Sequence, residues 1–478
     1  MVSFRKPDSS PRIRNIFLIS LGGVVFMKKD ATIGTEILSA LFDPGTFAEL
    51  GAYRRRADGA MTGAVCGYGA VGGKLVYAFA QDSDRRKGAF DAAQAAKIAS
   101  LYELACRNGA PVVGLFDSAG AYVADGASAL SAYGSLLANV SRASGAIPQI
   151  AVINGVCAGL AATAATMFDV VVTVREKSQL YVNAPFLVGK DVGTAEYAAE
   201  KGLSSVTAAN EEEAIAAVRR LIDLLPANAE DGAMEEDCSD DVNRPVALGD
   251  AKTNIGAIAD AGTAIELGAG YAEEMLTVLA KIGGVSCGIV ANNSEVNGGA
   301  ITAEGAKKAA KLVNLCDSFG MPVITLTDSV GVAVSSAEEG APLAKALGGL
   351  AMTYAAATTA KITVVTGKAY GASFVLMGSK ALGADTVYAL PDSSVSTMAP
   401  EAAVAFLWND RVSETVSRGE LVEEWEKTCA SPEAAANDGS IDDVIDPAEL
   451  RQRICAAVYM LLVKNEGDPA RRHCNLPI

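Results

Sequence analysis

The sequence predicts an α/β fold built as two tandem copies of one unit, with mostly parallel strand pairing. Two observations carry this. The run GAPVVGLFDSAGAYVADG from Gly109, then IPQIAVINGVCAG from Ile147, returns as GMPVITLTDSVG from Gly320 and AKITVVTGKAYGA from Ala360. Asp117-Ser118 answers to Asp328-Ser329, and Gly155 and Gly159 answer to Gly367 and Gly371, in nearly constant register. The second observation is that compact apolar runs alternate with helical periodicity, as buried strands covered by helices require. A duplicated unit offers two related pockets, which suits a reaction between two bound reactants.

The elements follow in order. Gly63–Ala80 reads as two short strands joined at Gly72-Gly73. Asp91–Arg107 places Ala95, Ile98, Leu101, Leu104 and Ala105 at helical spacing, and Gly109 is a stop signal. Val112–Phe116 is a strand, Ser128–Val140 a helix and Ile150–Ile153 a strand. Gly159–Phe168 is a helix opening straight after a glycine turn, and Val170–Val174 the next strand. The segment NAEDGAMEEDCSDDVN, residues 228–243, is acidic, poor in large apolar residues and flanked by Pro226 and Pro245. It reads as an exposed linker and not as a metal site. The second copy follows with a turn at Gly283-Gly284, a helix over Ala303–Phe319 and a strand over Val323–Thr327. Then come a helix over Ala341–Ala357, a strand over Ile362–Thr366 and a helix over Gly371–Lys380. The charged tail from Gly419 is helical, with Trp425 and Leu461-Leu462 as packing anchors. The expected organisation is an extension over 1–26, a first domain over 27–227, an acidic linker over 228–245 and a second domain over 246–478.

The chain has 478 residues and a formal net charge of −16, which argues against nucleic acid as a partner. Nine cysteines occur without a CxxC pair and read as reduced, mostly buried thiols. The one histidine, His473, lies in the tail, which disfavours a Ser-His-Asp triad, a Cys-His pair or a His-rich zinc site. Chemistry must then lean on backbone groups, carboxylates, Lys, Tyr or a cofactor. At the amino terminus, basic residues precede an apolar run over Ile16–Phe26. That run is too short to span a bilayer and lacks a cleavage pattern.

Two places per copy combine a strand end, a glycine turn and a helix start. They are Ser118-Ala119-Gly120 with Cys157-Ala158-Gly159-Leu160, and Ser329-Val330-Gly331 with Tyr370-Gly371-Ala372-Ser373. Small residues there let a ligand approach the main chain. Amide groups at a helix start lack intrahelical partners and can hold a developing oxyanion. Lys74 and Arg142 are candidates for meeting phosphates, with solvated surface charge as the plainer reading.

The stretch DSAGAYVADGASALSAYGSL, followed by ASGAIPQIAVINGVCAG, resembles the amino-terminal half of the biotin-dependent carboxyltransferases. That family includes the β-subunits of acyl-CoA carboxylases and the carboxyltransferase subunits of sodium-pumping methylmalonyl-CoA-type decarboxylases. GIVANN, GGAITAEGAKKAAKLVNLCDSFGMPVITLTD and KITVVTGKAYGASFVLMGSK agree with the second half, and FDPGTFAEL with the start. The resemblance covers roughly Ile37 to Lys464. It implies two crotonase-like domains, each a spiral of ββα turns, with acyl-CoA on the first and biotin on the second. It implies carboxyl transfer between an acyl-CoA of the methylmalonyl-, malonyl- or propionyl-CoA class and biotin on a separate carrier protein. Gly159 and Leu160 would hold the thioester enolate; Gly371, Ala372 and Ser373 would hold the ureido oxygen. Ala119, Gly120, Ala158, Val330, Gly331, Tyr370 and Val375 would line the pockets, with no metal.

The implied partners are a biotin carboxyl carrier protein, a biotin carboxylase or membrane decarboxylase subunit, and further copies of the chain, from a dimer up to a hexamer. The implied location is cytoplasmic, peripheral at a membrane complex in the decarboxylase case. The alternative is a non-catalytic CoA-binding or assembly subunit. The chain departs from the family in having Leu160 where a second glycine is common, Gly371-Ala372-Ser373 for Gly-Gly-Ala, and DSAGAY for DSGGAR, so that Tyr122 replaces an arginine. A left-handed conformation at Leu160 would be strained.

Overall fold

The structure, a computed structural model, describes residues 32–464 apart from 234 and 239. The expected extension over 1–26 and His473 lie outside the described residues. Contacts divide the chain into two compact units, 1–198 with 203–223 and 199–202 with 224–478.

The first unit comprises α1 (Ile33–Leu41), β1 (Ala48–Leu50), β2 (Ala64–Val71), β3 (Lys74–Gln81), α2 (Ala92–Asn108), β4 (Val112–Ser118) and α3 (Ala127–Ala143). It continues with β5 (Gln149–Ala158), α4 (Leu160–Thr166), β6 (Val170–Val174), β7 (Gln179–Tyr181), β8 (Val206–Ala208) and α5 (Glu211–Leu224). Its strands run in the order β1-β2-β3-β4-β5-β6-β8, with β7 on the far end of β5. The first three pair antiparallel and the rest parallel. Val170–Val174 is buried at every residue, as a strand covered on both faces must be. Asp91 caps α2 by accepting the Gln94 N–H at 2.9 Å, and Gly109 ends it at φ 55°, as its stop signal required.

The second unit repeats this. It comprises α6 (Ala251–Ile258), β9 (Ile265–Glu266), β10 (Met275–Ile282), β11 (Val285–Asn292), α7 (Ala303–Ser318), β12 (Val323–Ser329) and α8 (Leu343–Ala356). Then come β13 (Lys361–Tyr370), α9 (Ala372–Leu376), β14 (Thr386–Ala389), β15 (Ser394–Ser396), α10 (Arg418–Cys429), β16 (Asp443–Val444) and α11 (Leu450–Leu461). The strand order β16-β14-β13-β12-β11-β10-β9, with β15 on β13, matches the first unit strand for strand. The duplicated α/β architecture is therefore present, and its strand–strand–helix succession is crotonase-like.

Three details differ from the sequence reading. The helix expected over Gly371–Lys380 stops at Leu376, because Gly378 turns left-handed at φ 67° and Ser379 caps a separate turn over Lys380–Leu382. The strands expected over Ile150–Ile153 and Ile362–Thr366 run on to Ala158 and Tyr370. The acidic segment is irregular but lies along the second unit. There Asp240 accepts the Ala261 N–H at 2.9 Å and meets Arg244 at 3.1 Å, and Glu236 meets Lys281 at 2.8 Å. Trp425 is buried and packs edge-on against Trp408, and Leu461 and Leu462 pack half-buried on the second core.

Each hairpin turn is held by one aspartate. Asp43 accepts the N–H groups of Gly72 and Gly73 at 3.2 and 3.0 Å; Asp260 accepts those of Gly283 and Gly284 at 2.9 and 2.8 Å. Arg219 of α5 reaches Asp43 and the Leu41 carbonyl, both at 2.6 Å. Arg451 of α11 reaches Asp260 at 2.7 Å and the Ile258 carbonyl at 2.6 Å. The duplication thus extends to ALFDPGTFAEL (residues 40–50) and AIADAGTAIEL (residues 257–267).

The Arg451–Asp260 pair is buried, at 1% and 7% exposure, whereas Arg219 and Asp43 stand 36% and 26% exposed. Burial raises the Asp260 pKa, but Arg451 and the two glycine amides outweigh it and hold the carboxyl below the ordinary 3.8. Its contribution to stability is therefore complete above that value and is lost as pH falls through the folded-state pKa. Asp260→Ala leaves the buried guanidinium with only the Asp240 carboxylate, at 3.4 Å, and frees two glycine amides; it should cost about 3 kcal/mol in urea unfolding. Asp43→Ala, at a solvated pair, should cost only about 1 kcal/mol.

Candidate functional site

In both units the site is built where β4 or β12 ends beside the long strand next to it. The β4–β5 register runs Phe116↔Ile153 and resumes at Ser118↔Cys157; β12–β13 runs Thr327↔Val365 and resumes at Ser329↔Ala369. Each long strand therefore bulges by two residues opposite an aspartate. Asp117 Oδ1 accepts the Val156 N–H at 3.1 Å, and Asp328 Oδ1 accepts the Lys368 N–H at 2.8 Å. Gly155 and Gly367 sit where a Cβ would stand 2.3 Å from that carboxylate oxygen, so no larger residue fits. The following serine closes the strand end: Ser118 Oγ and Ser329 Oγ each accept the N–H two residues on, at 3.2 Å, from Gly120 and Gly331.

Past the bulge the chain turns into a short helix through one left-handed glycine. Gly159 has φ 62°, ψ −124°, and Gly371 has φ 59°, ψ −131°. These angles are those of the first central residue of a type II′ turn, which glycine fills without steric cost. Leu160 is not among the residues with positive φ, so the expected strain at Leu160 does not arise.

The amide accounting departs from the sequence reading. The Gly159 N–H donates to the Tyr181 carbonyl at 2.9 Å, and the Gly371 N–H donates to the Ser396 carbonyl at 2.9 Å. Both glycine amides are therefore committed to β7 and β15. Among the described residues, the amides of Leu160 and Ala372 donate to no protein acceptor. Gly159 and Gly371 shape the turn, and the next residue presents the donor.

The remaining expected residues fall as follows. Gly120 stands beside Ala158, since a Cβ on it would lie 3.8 Å from the Ala158 carbonyl oxygen; Gly331 stands likewise 3.6 Å from that of Tyr370. Ala119 donates its N–H to the Lys87 carbonyl at 3.0 Å, and Val330 to that of Gly298 at 3.1 Å. Leu160, Val330 and Val375 expose apolar side chains, at 38%, 45% and 44%. Ser373 is fully buried and its hydroxyl donates to the Tyr370 carbonyl at 2.8 Å, so its side chain is structural. Tyr370 is buried as a packing residue. Lys74 closes the end of α5 through the Ile222 and Asp223 carbonyls at 3.3 and 2.9 Å, and Arg142 meets Asn139 at 3.4 Å.

Sequence reasoning missed Arg56 and Arg86. Their guanidinium carbons lie 4.8 and 4.5 Å from the centre of the Tyr122 ring. The signal was available as the runs Arg54-Arg55-Arg56 and Arg85-Arg86-Lys87 in an acidic chain. Among the described residues no group of three or more His, Cys, Asp or Glu is arranged to hold a metal ion, and no helix is long and apolar enough to cross a membrane.

The carboxyl transferase domain family matches residues 28–476. The chain is 33% identical to the methylmalonyl-CoA decarboxylase subunit alpha of Propionigenium modestum, over 96% of each chain. It is 32% identical to the methylmalonyl-CoA carboxyltransferase 12S subunit of Propionibacterium freudenreichii subsp. shermanii, over 92% of this chain and 91% of that one. A crystal structure of transcarboxylase 12S, described as a hexamer with methylmalonyl-coenzyme A and methylmalonic acid bound, superposes with a TM-score of 0.88. It is 32% identical and is covered over 92% of its length by 93% of this chain.

Gly155→Ala or Gly367→Ala must displace the aspartate carboxylate and should lower stability by about 1–3 kcal/mol. Gly134→Ala is the control: it lies within α3, where a Cβ meets nothing within 4 Å. It should raise stability by about 0.5–1 kcal/mol. Thermal unfolding of the three variants separates the two classes.

Proposed function

This chain belongs to the carboxyl transferase domain family, and we propose that it moves a carboxyl group between an acyl-CoA and biotin on a separate carrier protein. The acyl-CoA is of the methylmalonyl-, malonyl- or propionyl-CoA class. The observation that carries this reading is the pair of matching turns, each presenting an uncommitted amide after a left-handed glycine. The first turn serves the thioester and the second the biotin ring.

The chemistry asked of the protein is modest. Removing a carboxyl group from the carbon beside a thioester leaves an enolate, whose charge sits on the thioester oxygen. The Leu160 N–H, fixed by the turn, donates to that oxygen and needs no reorganisation as charge develops. Gly120 and Ala158 line the same place with small residues, and the Leu160 side chain bounds it. Biotin, when bound, would supply the ureido nitrogen that takes the carboxyl group, its displaced proton going to the α-carbon of the enolate. The second turn fits such a ring: Ala372 presents the donor, Gly331 and Tyr370 back it, and Val330 and Val375 offer apolar walls. The alternative of a non-catalytic CoA-binding subunit draws no support from Leu160, because the left-handed conformation falls on Gly159. A biotin carrier, a biotin carboxylase or membrane decarboxylase subunit, and further copies of this chain complete the working assembly.

The test is to incubate the chain with malonyl-, methylmalonyl- and glutaconyl-CoA and concentrated free biotin, then weigh the CoA esters by mass spectrometry. Biotin-dependent loss of one carboxyl group is the expected result. No loss with any of them, repeated beside a biotinylated carrier, would overturn the reading. Leu160 is the first helical residue, where proline is tolerated. Leu160→Pro should therefore fold but lower kcat by about 10²–10³ through loss of the donor. Leu160→Ala keeps the N–H and should retain turnover within about tenfold.

A further inference from the structure

The two turns differ in the residue that carries the free amide: Leu160 in the first unit, Ala372 in the second. Around the first turn every other side chain is small. Ser118 and Cys157 are fully buried, and Ala119, Gly120 and Ala158 reach the surface. Leu160 is therefore the one large side chain that the segments 118–120 and 157–160 turn outward. The ground beside it is open. Among the described residues, a Cβ on Gly159 would meet nothing within 4 Å, and one on Gly120 would meet the Ala158 carbonyl oxygen at 3.8 Å.

The fold does not ask for a leucine there. The core face of α4 is formed by Ala161, Ala162, Ala164 and Ala165, each 4% exposed or less, while Leu160 remains 38% exposed. Alanine and leucine are both strong helix formers, so the helix forms with either. The second unit makes the same turn, with φ 59° at Gly371, and follows it with Ala372. Turn, helix and core are thus served equally by a methyl group. What a leucine adds lies on the ligand side.

Its place fixes what it can touch. A backbone N–H holds a carbonyl oxygen at about 2.9 Å from its nitrogen, and Cβ lies about 2.5 Å from the nitrogen of its own residue. The Leu160 Cβ is then no more than about 5.4 Å from a thioester oxygen held by the Leu160 amide, and the leucine stands beside the acyl group. Loss of the carboxyl group leaves an α-carbon planar with the carbonyl. One of its two remaining substituents therefore lies on the oxygen's side, next to the donor residue. With malonyl-CoA both substituents are hydrogens; methylmalonyl-CoA brings a methyl group and ethylmalonyl-CoA an ethyl group. A larger group is caught between the leucine on one side and the thioester sulfur on the other. We propose that Leu160 selects the acyl group and favours malonyl-CoA over its α-alkylated homologues. The inference rests on the function proposed above and names the substrate within it.

The test compares kcat/KM for the three esters within one protein, with free biotin as acceptor and the products weighed by mass spectrometry. Wild type should prefer malonyl-CoA to methylmalonyl-CoA by at least about tenfold, and to ethylmalonyl-CoA by more, because one misfitting methylene in an apolar pocket is worth about tenfold or more. Leu160→Ala should narrow the first ratio by at least about tenfold, by raising kcat/KM for methylmalonyl-CoA. Leu160→Met, of similar volume, should hold the ratio within about threefold of wild type. Leu160→Ala opens no void in the core, so its Tm should stay within about 2 °C, which separates selectivity from a folding defect. A ratio that Leu160→Ala leaves unchanged would overturn the inference and leave the function intact. So would a ratio that narrows only because malonyl-CoA turnover falls, or a wild type that uses methylmalonyl-CoA as well as malonyl-CoA. A wild type that decarboxylates none of the three, even beside a biotinylated carrier, would sink the proposed function itself and this inference with it.

Discussion

The site in each unit depends on one carboxylate reaching across a strand boundary. Asp117 and Asp328 end β4 and β12, and each accepts a backbone N–H from the bulge of the neighbouring long strand. That bond gives the bulge a fixed partner. The bulge lengthens the strand, lets β7 or β15 pair with its far end, and delivers the chain to the glycine turn in a set orientation. Two glycines are required as a consequence. One leaves room for the carboxylate, and the other takes the left-handed turn. The recurring spacing Gly155–Gly159 and Gly367–Gly371 is therefore a record of geometry and not of a sequence tag.

This arrangement places the uncommitted donors on the main chain. A backbone amide does not titrate and cannot be lost by most substitutions, which is why Leu160 can stand at a position where a second glycine is common. What the side chain at that position still controls is the space beside the donor. Reaction and selectivity are thereby separated. The turns are alike in both units, whereas the residues around them have diverged in size and charge. Leu160 answers to Ala372, and Arg86 and Lys87 answer to Asn297 and Gly298. Duplication supplied two similar cradles, and the differences lie at their edges.

Much of this was legible beforehand. The hairpins at Gly72-Gly73 and Gly283-Gly284, the helix closed by Gly109, the buried strand Val170–Val174 and the paired glycine turns all rest on local patterns. The extent of the duplication was only half legible. AIADAGTAIEL shares six of its eleven residues with ALFDPGTFAEL, but what the match is for shows only when Asp43 and Asp260 are seen gripping the same turn. The acidic segment was harder still. Its composition is that of a tether, but Asp240 finds Arg244 and Ala261 along the second unit, and composition does not encode partners.

The sequence by itself located the main buried strands, the long helices and the glycine turns, though not where β5, β13 and α9 end, because apolar periodicity and the need for glycine at positive φ are properties of a few neighbouring residues. It also determined that the chain is two copies of one design. Only the tertiary structure decided which amide is available. Gly159 and Leu160 look equivalent as donors on paper, yet Tyr181 on β7 takes the first and leaves the second. The same holds for Arg56 and Arg86, whose two runs are far apart in the chain and meet around Tyr122. Hydrogen-bond partners and charge clusters are set by which distant strands pair, and that choice belongs to the packed fold.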